Sequence, residues 1–275
     1  MLRRHIENWS DAYTNVTHIP DGQSWPAGWA KKALEFREGQ GSQFRAKLNV
    51  SYGSSPRNRI DLFLPEQSPL GLVVFVHGGY WLSFDKDHWS HLAAGSLARG
   101  YAVAMPSYTL CPDIRIGGIV KEIGAAIEFA AAEVDGPIML TGHSAGGHLV
   151  SRMASATSPL SERTRARIRH VLSISGVHDL RPLMRTGMNE KLRIDEEEAI
   201  AESPVLLRPT EGVRLTCWVG GAERSEFLRQ NELLANIWAG LGASTVAITE
   251  PDRHHFNIIE GLADPNHPLL ESLLS

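Results

Sequence analysis

Two glycine-rich stretches hold the residues best suited to covalent chemistry. The first, Gly142-His143-Ser144-Ala145-Gly146-Gly147, has the G-x-S-x-G form and lies between the apolar run Pro137–Thr141 and a helical pattern that begins at Ala145. A serine hydroxyl is a weak nucleophile until a base takes its proton. Glycines at a sharp strand-to-helix reversal let the serine hold a strained conformation that lifts its hydroxyl clear of the sheet. The helix start beneath it offers the N–H of Ala145 to a developing oxyanion. The second stretch, His77-Gly78-Gly79-Tyr80-Trp81, follows the apolar run Leu72–Val76. Paired glycines let a backbone approach a ligand closely, so Gly78 and Gly79 are the other two candidate oxyanion donors. The chemistry these residues imply is acyl transfer to Ser144.

Such a serine needs a histidine within reach, and that histidine needs a carboxylate on its other ring nitrogen. Where a G-x-S-x-G elbow lies in an alternating α/β chain, the acid follows a later strand and the histidine follows the last one. Both places are populated. Gly220-Gly221-Ala222-Glu223-Arg224-Ser225-Glu226 comes after the apolar run Thr216–Val219, and Glu250-Pro251-Asp252-Arg253-His254-His255-Phe256-Asn257 comes after Val246–Thr249. Of the twelve histidines, His143 is fixed inside the elbow and His178 comes too early in the chain, which leaves His254 and His255. Adjacent histidines can also ligate metal, but no compact set of further ligands accompanies them, so neither metal nor cofactor is expected.

The elements that must carry these residues follow from the patterning. β-rich runs are expected at Ala46–Ser51, Arg59–Leu64, Leu72–Val76, Tyr101–Met105, Ile138–Thr141, Ile168–Ile174, Arg214–Val219 and Ser244–Thr249. From the third run onward they alternate with helix-length segments at His88–Arg99, Ile116–Ala132, Ala145–Ala156 and Glu226–Leu241. Alternation of this kind predicts a mostly parallel eight-stranded sheet with helices on both faces. With the serine elbow, this is the α/β-hydrolase fold in a single domain, 1–275. The first two runs, joined by Gly53-Ser54-Ser55-Pro56-Arg57-Asn58, read as an antiparallel hairpin at the sheet edge. Residues 1–40 hold Trp9, Trp25 and Trp29 and are expected to pack as an arm over the sheet or near the site mouth. Residues 181–212 are expected to form a small cap, in which Asp195-Glu196-Glu197-Glu198 resembles a helix's electronegative first turn.

Composition narrows the partners. The chain has 275 residues, 43% hydrophobic and 21% charged, with a net charge of −4. It carries neither the basic footprint of a nucleic-acid binder nor a polybasic membrane patch, which leaves a small-molecule substrate; a homodimer is compatible with this composition. Only Cys111 and Cys217 are present, too few for a disulfide framework, and the polar start Met1-Leu2-Arg3-Arg4-His5-Ile6-Glu7-Asn8 lacks a leader's apolar core. No apolar run reaches the length of a membrane span. The expected location is the cytoplasm.

In these motifs the sequence resembles the kynurenine formamidases (arylformamidases) of the α/β-hydrolase superfamily, close relatives of the hormone-sensitive-lipase-like esterases. The resemblance rests on the two glycine-rich stretches, on Ser175-Gly176-Val177-His178-Asp179-Leu180-Arg181-Pro182-Leu183 and on His255-Phe256-Asn257-Ile258-Ile259-Glu260, and spans roughly residues 60–262. It implies Ser144 as nucleophile, Glu223 as orienting acid and His255 as base. The acid of the family is usually Asp, so Glu223, one methylene longer, departs from the pattern; Asp179 reads as a cap or loop brace. The resemblance also implies N-formyl-L-kynurenine as substrate, with Tyr80 and Trp81 lining an aromatic pocket. A short-chain carboxylesterase or thioesterase would use the same machinery. A non-catalytic binding module on this fold would be marked by loss of the serine or the histidine, and both are present.

Overall fold

Among the described residues, runs of Val, Ile, Leu and Phe bounded by Gly and Pro form eight strands. They are β1 (Arg45–Ser51), β2 (Arg59–Leu64), β3 (Leu72–Val76), β4 (Ala102–Pro106), β5 (Ile138–His143), β6 (Ile168–Ile174), β7 (Arg214–Gly220) and β8 (Ser244–Glu250). The computed structural model describes residues 6–39 and 45–275; the polar start at residues 1–5 and residue 40 at the end of the arm lie outside the described residues. The strands make one sheet in the order β1-β2-β4-β3-β5-β6-β7-β8. β2 runs antiparallel to both β1 and β4, and all other pairings are parallel. The edge hairpin and the parallel remainder are as the patterning predicts.

Helices cover both faces, as continuously apolar central strands require. On one face Ile116–Glu133, Ala145–Met153 and Ser225–Gly240 bury Ile119, Ile123, Leu149, Leu234 and Trp238 against the sheet. On the other, Trp25–Gly39, Ala93–Ala98 and Pro268–Leu274 bury Trp29, Leu97, Leu269 and Leu273. The expected helix His88–Arg99 is shorter. Two 3-10 turns, Lys86–His88 and Ser90–Leu92, precede Ala93–Ala98. The Asp85 side chain caps the first turn by accepting from Asp87 N, and Trp89, at φ −126° and ψ 0°, breaks the helical path and packs its ring 4.6 Å from that of Trp29.

Residues 181–212 hold short helical segments, Asn189–Leu192 and Glu196–Glu202 among them. Asp195 caps the second by accepting from Glu198 N at 2.8 Å, and Arg115 bridges Asp195 and Glu198, so the acidic run is tied to the body of the fold. The loops bearing Gly78 and Gly79, Ser144, Glu223 and His255 leave the C-terminal ends of β3, β5, β7 and β8. That common edge is where an open parallel sheet places a ligand.

Candidate active site

At the end of β5 the chain turns directly into the helix Ala145–Met153. Ser144 sits at that turn with φ 55° and ψ −115°, a left-handed backbone that a non-glycine residue adopts only when its surroundings enforce it. Its N–H donates to Ile174 O of β6 at 2.8 Å, which fastens the turn to the sheet. The crossing is too tight for side chains nearby: a Cβ on Gly146 would lie 1.9 Å from Val76 O, and one on Gly142 would lie 2.3 Å from Gly146 O. Ala145 is the first helical residue, where the N–H has no intrahelical acceptor. The loop after β3 passes against the elbow. A Cβ on Gly78 would lie 3.1 Å from Ser144 Cβ, and Gly79 takes φ 111°.

Glu223, after β7, and His255, after β8, meet across the same edge. His255 Nδ1 donates to Glu223 Oε2 at 2.6 Å. The other carboxylate oxygen, Oε1, accepts from Ser175 Oγ at 2.5 Å and from Gly220 N at 2.8 Å. Three donors thus hold this fully buried carboxylate in one orientation. The His255 ring is packed by Phe227, centroids 4.3 Å apart, and the His255 carbonyl accepts from His143 Nε2 at 2.8 Å. Burial holds His143 well below the ordinary histidine pKa, so its ring is neutral. Ser144 and His255 line one cavity, with no direct hydrogen bond between them.

The alternatives weighed from sequence are otherwise engaged. The ring of His254 stands edge-on to Trp25 at 5.1 Å, and its Nδ1 accepts from Phe256 N and Asn257 N. Asp179 is held by Arg181, at 2.8 Å from Nε and 3.0 Å from Nη2, and serves as a loop brace. Glu226, three residues beyond Glu223 and not a sequence candidate, binds Arg229 and Tyr13. Among the described residues, no group of three His, Cys, Asp or Glu side chains is placed to hold a metal ion.

The cavity has a volume of about 280 Å³ and is bordered by Gly78, Gly79, Ser144 and His255, with a wall of rings from Trp29, Tyr80, Phe84, Trp89 and Phe256. Tyr13, Thr14, Asn15 and Val16 of the arm close another side. They are held there by Tyr13 Oη, which donates to Glu226 Oε2 at 2.9 Å, and by Tyr80 Oη, which donates to Tyr13 O and accepts from Asn15 Nδ2 at 3.0 Å. Trp81 departs from expectation. It does not line the cavity; its ring is fully buried, edge-on to His148 at 5.1 Å. Tyr80 and Trp81 both take left-handed backbone, φ 52° and 58°, so the chain coils inward after Tyr80 and carries the next ring into the core.

A family model described as BD-FAE matches residues 60–210, which include Gly78, Gly79 and Ser144 and stop short of Glu223 and His255. Kynurenine formamidase from Danio rerio is 31% identical over 240 residues, covering 82% of this chain and 80% of the relative. This chain belongs to the kynurenine formamidase family. A solved structure from Silicibacter sp. TM1040, described provisionally as a thioesterase, is 51% identical, with a TM-score of 0.91 over 97% of this chain and 98% of that one. Esterase B from Lactobacillus rhamnosis, solved with a tributyrin phosphonate inhibitor, has a TM-score of 0.67 over 92% and 91% of the two chains at 19% identity, a likeness of fold alone. As a member of the kynurenine formamidase family the chain is a hydrolase of the α/β-hydrolase fold. No helix among the described residues is long and apolar enough to cross a membrane.

Several residues that line this cavity are not assigned to it by any motif. Tyr13 and Asn15 reach the site through contacts with residues 213 and 65 positions away, and only the aromatic character of the arm hinted at them. Phe84 lies beyond the glycine pair with φ 71°, a turn that the motif does not specify. Phe256, next to His255 in the His-Phe-Asn run, lines the cavity itself.

Proposed function

We propose that the protein hydrolyses an aryl formamide, N-formyl-L-kynurenine, to formate and kynurenine. The observation that carries this reading is the Glu223–His255 pair at 2.6 Å beside Ser144, at a cavity walled by aromatic rings, in a chain of the kynurenine formamidase family. With Nδ1–H committed to Glu223, His255 presents the Nε2 lone pair to the cavity. Ser144 Oγ passes its proton to that nitrogen as it attacks the formyl carbon, and the N–H groups of Gly78, Gly79 and Ala145 hold the oxyanion. His255 then gives the proton to the anilide nitrogen, the C–N bond breaks, and the arylamine leaves a formyl ester on Ser144. Water, deprotonated by His255, attacks this ester, and as the acyl C–O bond breaks His255 returns the proton to Ser144 Oγ, which releases formate and restores the enzyme.

A formyl group asks little room on the acyl side, and an anilide is a better leaving group than an alkyl amine. About 280 Å³ is at the small end of ligand cavities and suits a compact acyl group with one aryl ring. Tyr80, Phe84 and Phe256 supply apolar faces for that ring. We read residues 1–275 as one domain in which the arm, 1–40, and the cap, 181–212, approach the cavity from two sides, through Tyr13–Val16 and through Met188. Two free, buried cysteines fit a reducing compartment, and we place the enzyme in the cytoplasm.

A second reading, a short-chain carboxylesterase or thioesterase, is favoured by the 51% identical relative described provisionally as a thioesterase. One panel separates the two: kcat/KM for N-formyl-L-kynurenine, for p-nitrophenyl acetate and butyrate, and for a short acyl thioester. The formamide is expected to be the best substrate. An ester or thioester turned over tenfold faster moves the assignment to the second reading.

A further inference from the structure

We infer that His143 is a positioning residue, a neutral strut that ties the loop carrying the base to the strand carrying the nucleophile. The inference rests on the reading of Ser144 and His255 given above. His143 is the last residue of β5 and is covalently next to Ser144, while its side chain crosses to the loop after β8 and donates from Nε2 to the His255 carbonyl at 2.8 Å. A carbonyl only accepts, so Nε2 carries the proton and Nδ1 the lone pair. Nδ1 is buried with no hydrogen-bond partner among the described residues, and a Cβ on Gly78 would lie 3.2 Å from it, so the oxyanion loop passes directly over this edge of the ring. The ring also packs against the His255 imidazole, centroids 4.6 Å apart.

Nucleophile, base and oxyanion loop therefore meet at one buried imidazole that touches none of the reacting atoms in the proposed mechanism. Glu223 and Phe227 fix the ring of His255, but among the described residues the only side chain that holds its carbonyl is His143. Without that hydrogen bond, the loop after β8 loses its direct tie to the elbow, and His255 Nε2 is free to drift from Ser144 Oγ. Proton transfer depends steeply on that separation, whereas substrate binding depends on the cavity wall. The strut thus acts on kcat and not on KM.

Three measurements test this: steady-state kinetics and the rate of fluorophosphonate labelling of Ser144 in wild type, His143→Phe and His143→Gln, and the imidazole ¹⁵N spectrum of the wild type. Phe keeps the ring volume without a donor; Gln restores an N–H at similar reach. The strut predicts that Phe lowers kcat and the labelling rate together by roughly 10–100-fold with KM within threefold of wild type, and that Gln returns both to within about fivefold of wild type. Labelling and turnover in the Phe variant at wild-type rates, or equal losses in Phe and Gln, would overturn it. Should the variants not fold, the wild-type spectrum decides: His143 must be the neutral Nε2–H tautomer at pH 7, and a cationic or Nδ1–H ring would overturn the assignment. Wild-type protein that fails to label at Ser144 refutes the underlying reading of the site instead, which keeps the two failures distinct.

Discussion

The Glu223 carboxylate meets the His255 imidazole at 2.6 Å, and its far oxygen is held by both Ser175 Oγ and Gly220 N. The geometry predicts the consequence of Glu223→Gln. Two donors at the Oε1 position would pin the amide oxygen there and turn the amide NH₂ toward His255 Nδ1. The ring would then carry its proton on Nε2, the tautomer that cannot accept from Ser144. We expect kcat to fall by roughly 10²–10⁴ with the fold retained. Asp179→Asn, which only loosens the brace with Arg181, is expected to leave kcat within a few-fold of wild type; steady-state kinetics on the two variants check the assignment, and the reverse ranking would contradict it.

Only one of the two adjacent histidines faces the cavity. His255→Ala is expected to be nearly inactive, and His254→Ala, which removes an edge contact with Trp25 and a turn acceptor, is expected to retain most of its kcat. Comparison of kcat in the two folded variants is sufficient, and activity surviving in His255→Ala would reassign the base.

Much of this arrangement could be read along the chain, and what could not has a common physical cause. The strands show because central parallel strands are buried on both faces and must be apolar throughout, as all five residues of β3 are. The elbow shows because Gly142 and Gly146 have no room for a Cβ. Local sterics leave a local signature. The arm's place at the cavity depends on Tyr13 meeting Glu226, a contact 213 residues long that no spacing encodes. The inward direction of Trp81 escapes the pattern because two successive positive φ values reverse the alternation expected of neighbouring side chains. The helix expected at His88–Arg99 yields to burial of Trp89 beneath Trp29, a tertiary contact that local propensity does not see.

The burial of Trp81 makes its removal a test of stability and not of specificity. Trp81→Ala is expected to destabilise the fold by about 3–5 kcal/mol and to lower Tm by roughly 10 °C. The ratio of kcat/KM for an aryl formamide to that for a small ester should stay unchanged in the surviving folded protein. A change in that ratio with Tm unaffected would return Trp81 to the cavity wall.

Acid lability follows from the buried histidines. Burial lowers His77, His148 and His170 from 6.5 to about 4, and His178 to about 3. All four stay neutral in the native state, while the unfolded chain takes up protons once the pH drops below about 6.5. Stability is therefore at its full value above that pH and falls as the pH moves toward the native values, by about 1.4 kcal/mol per pH unit for each such histidine. Thermal unfolding between pH 8 and pH 4.5 should show a flat Tm down to about pH 6.5 and a steep decline below it. A Tm independent of pH across that range would show that these rings are charged or solvated in the native protein.

The most direct test of the central claim is release of formate and kynurenine from N-formyl-L-kynurenine by wild type and Ser144→Ala, measured side by side at equal concentrations of folded protein. The account predicts efficient turnover by wild type and a loss in kcat of ~10⁴ or more in the variant, with Tm essentially unchanged. Comparable turnover by folded Ser144→Ala, or no turnover by wild type, would contradict it.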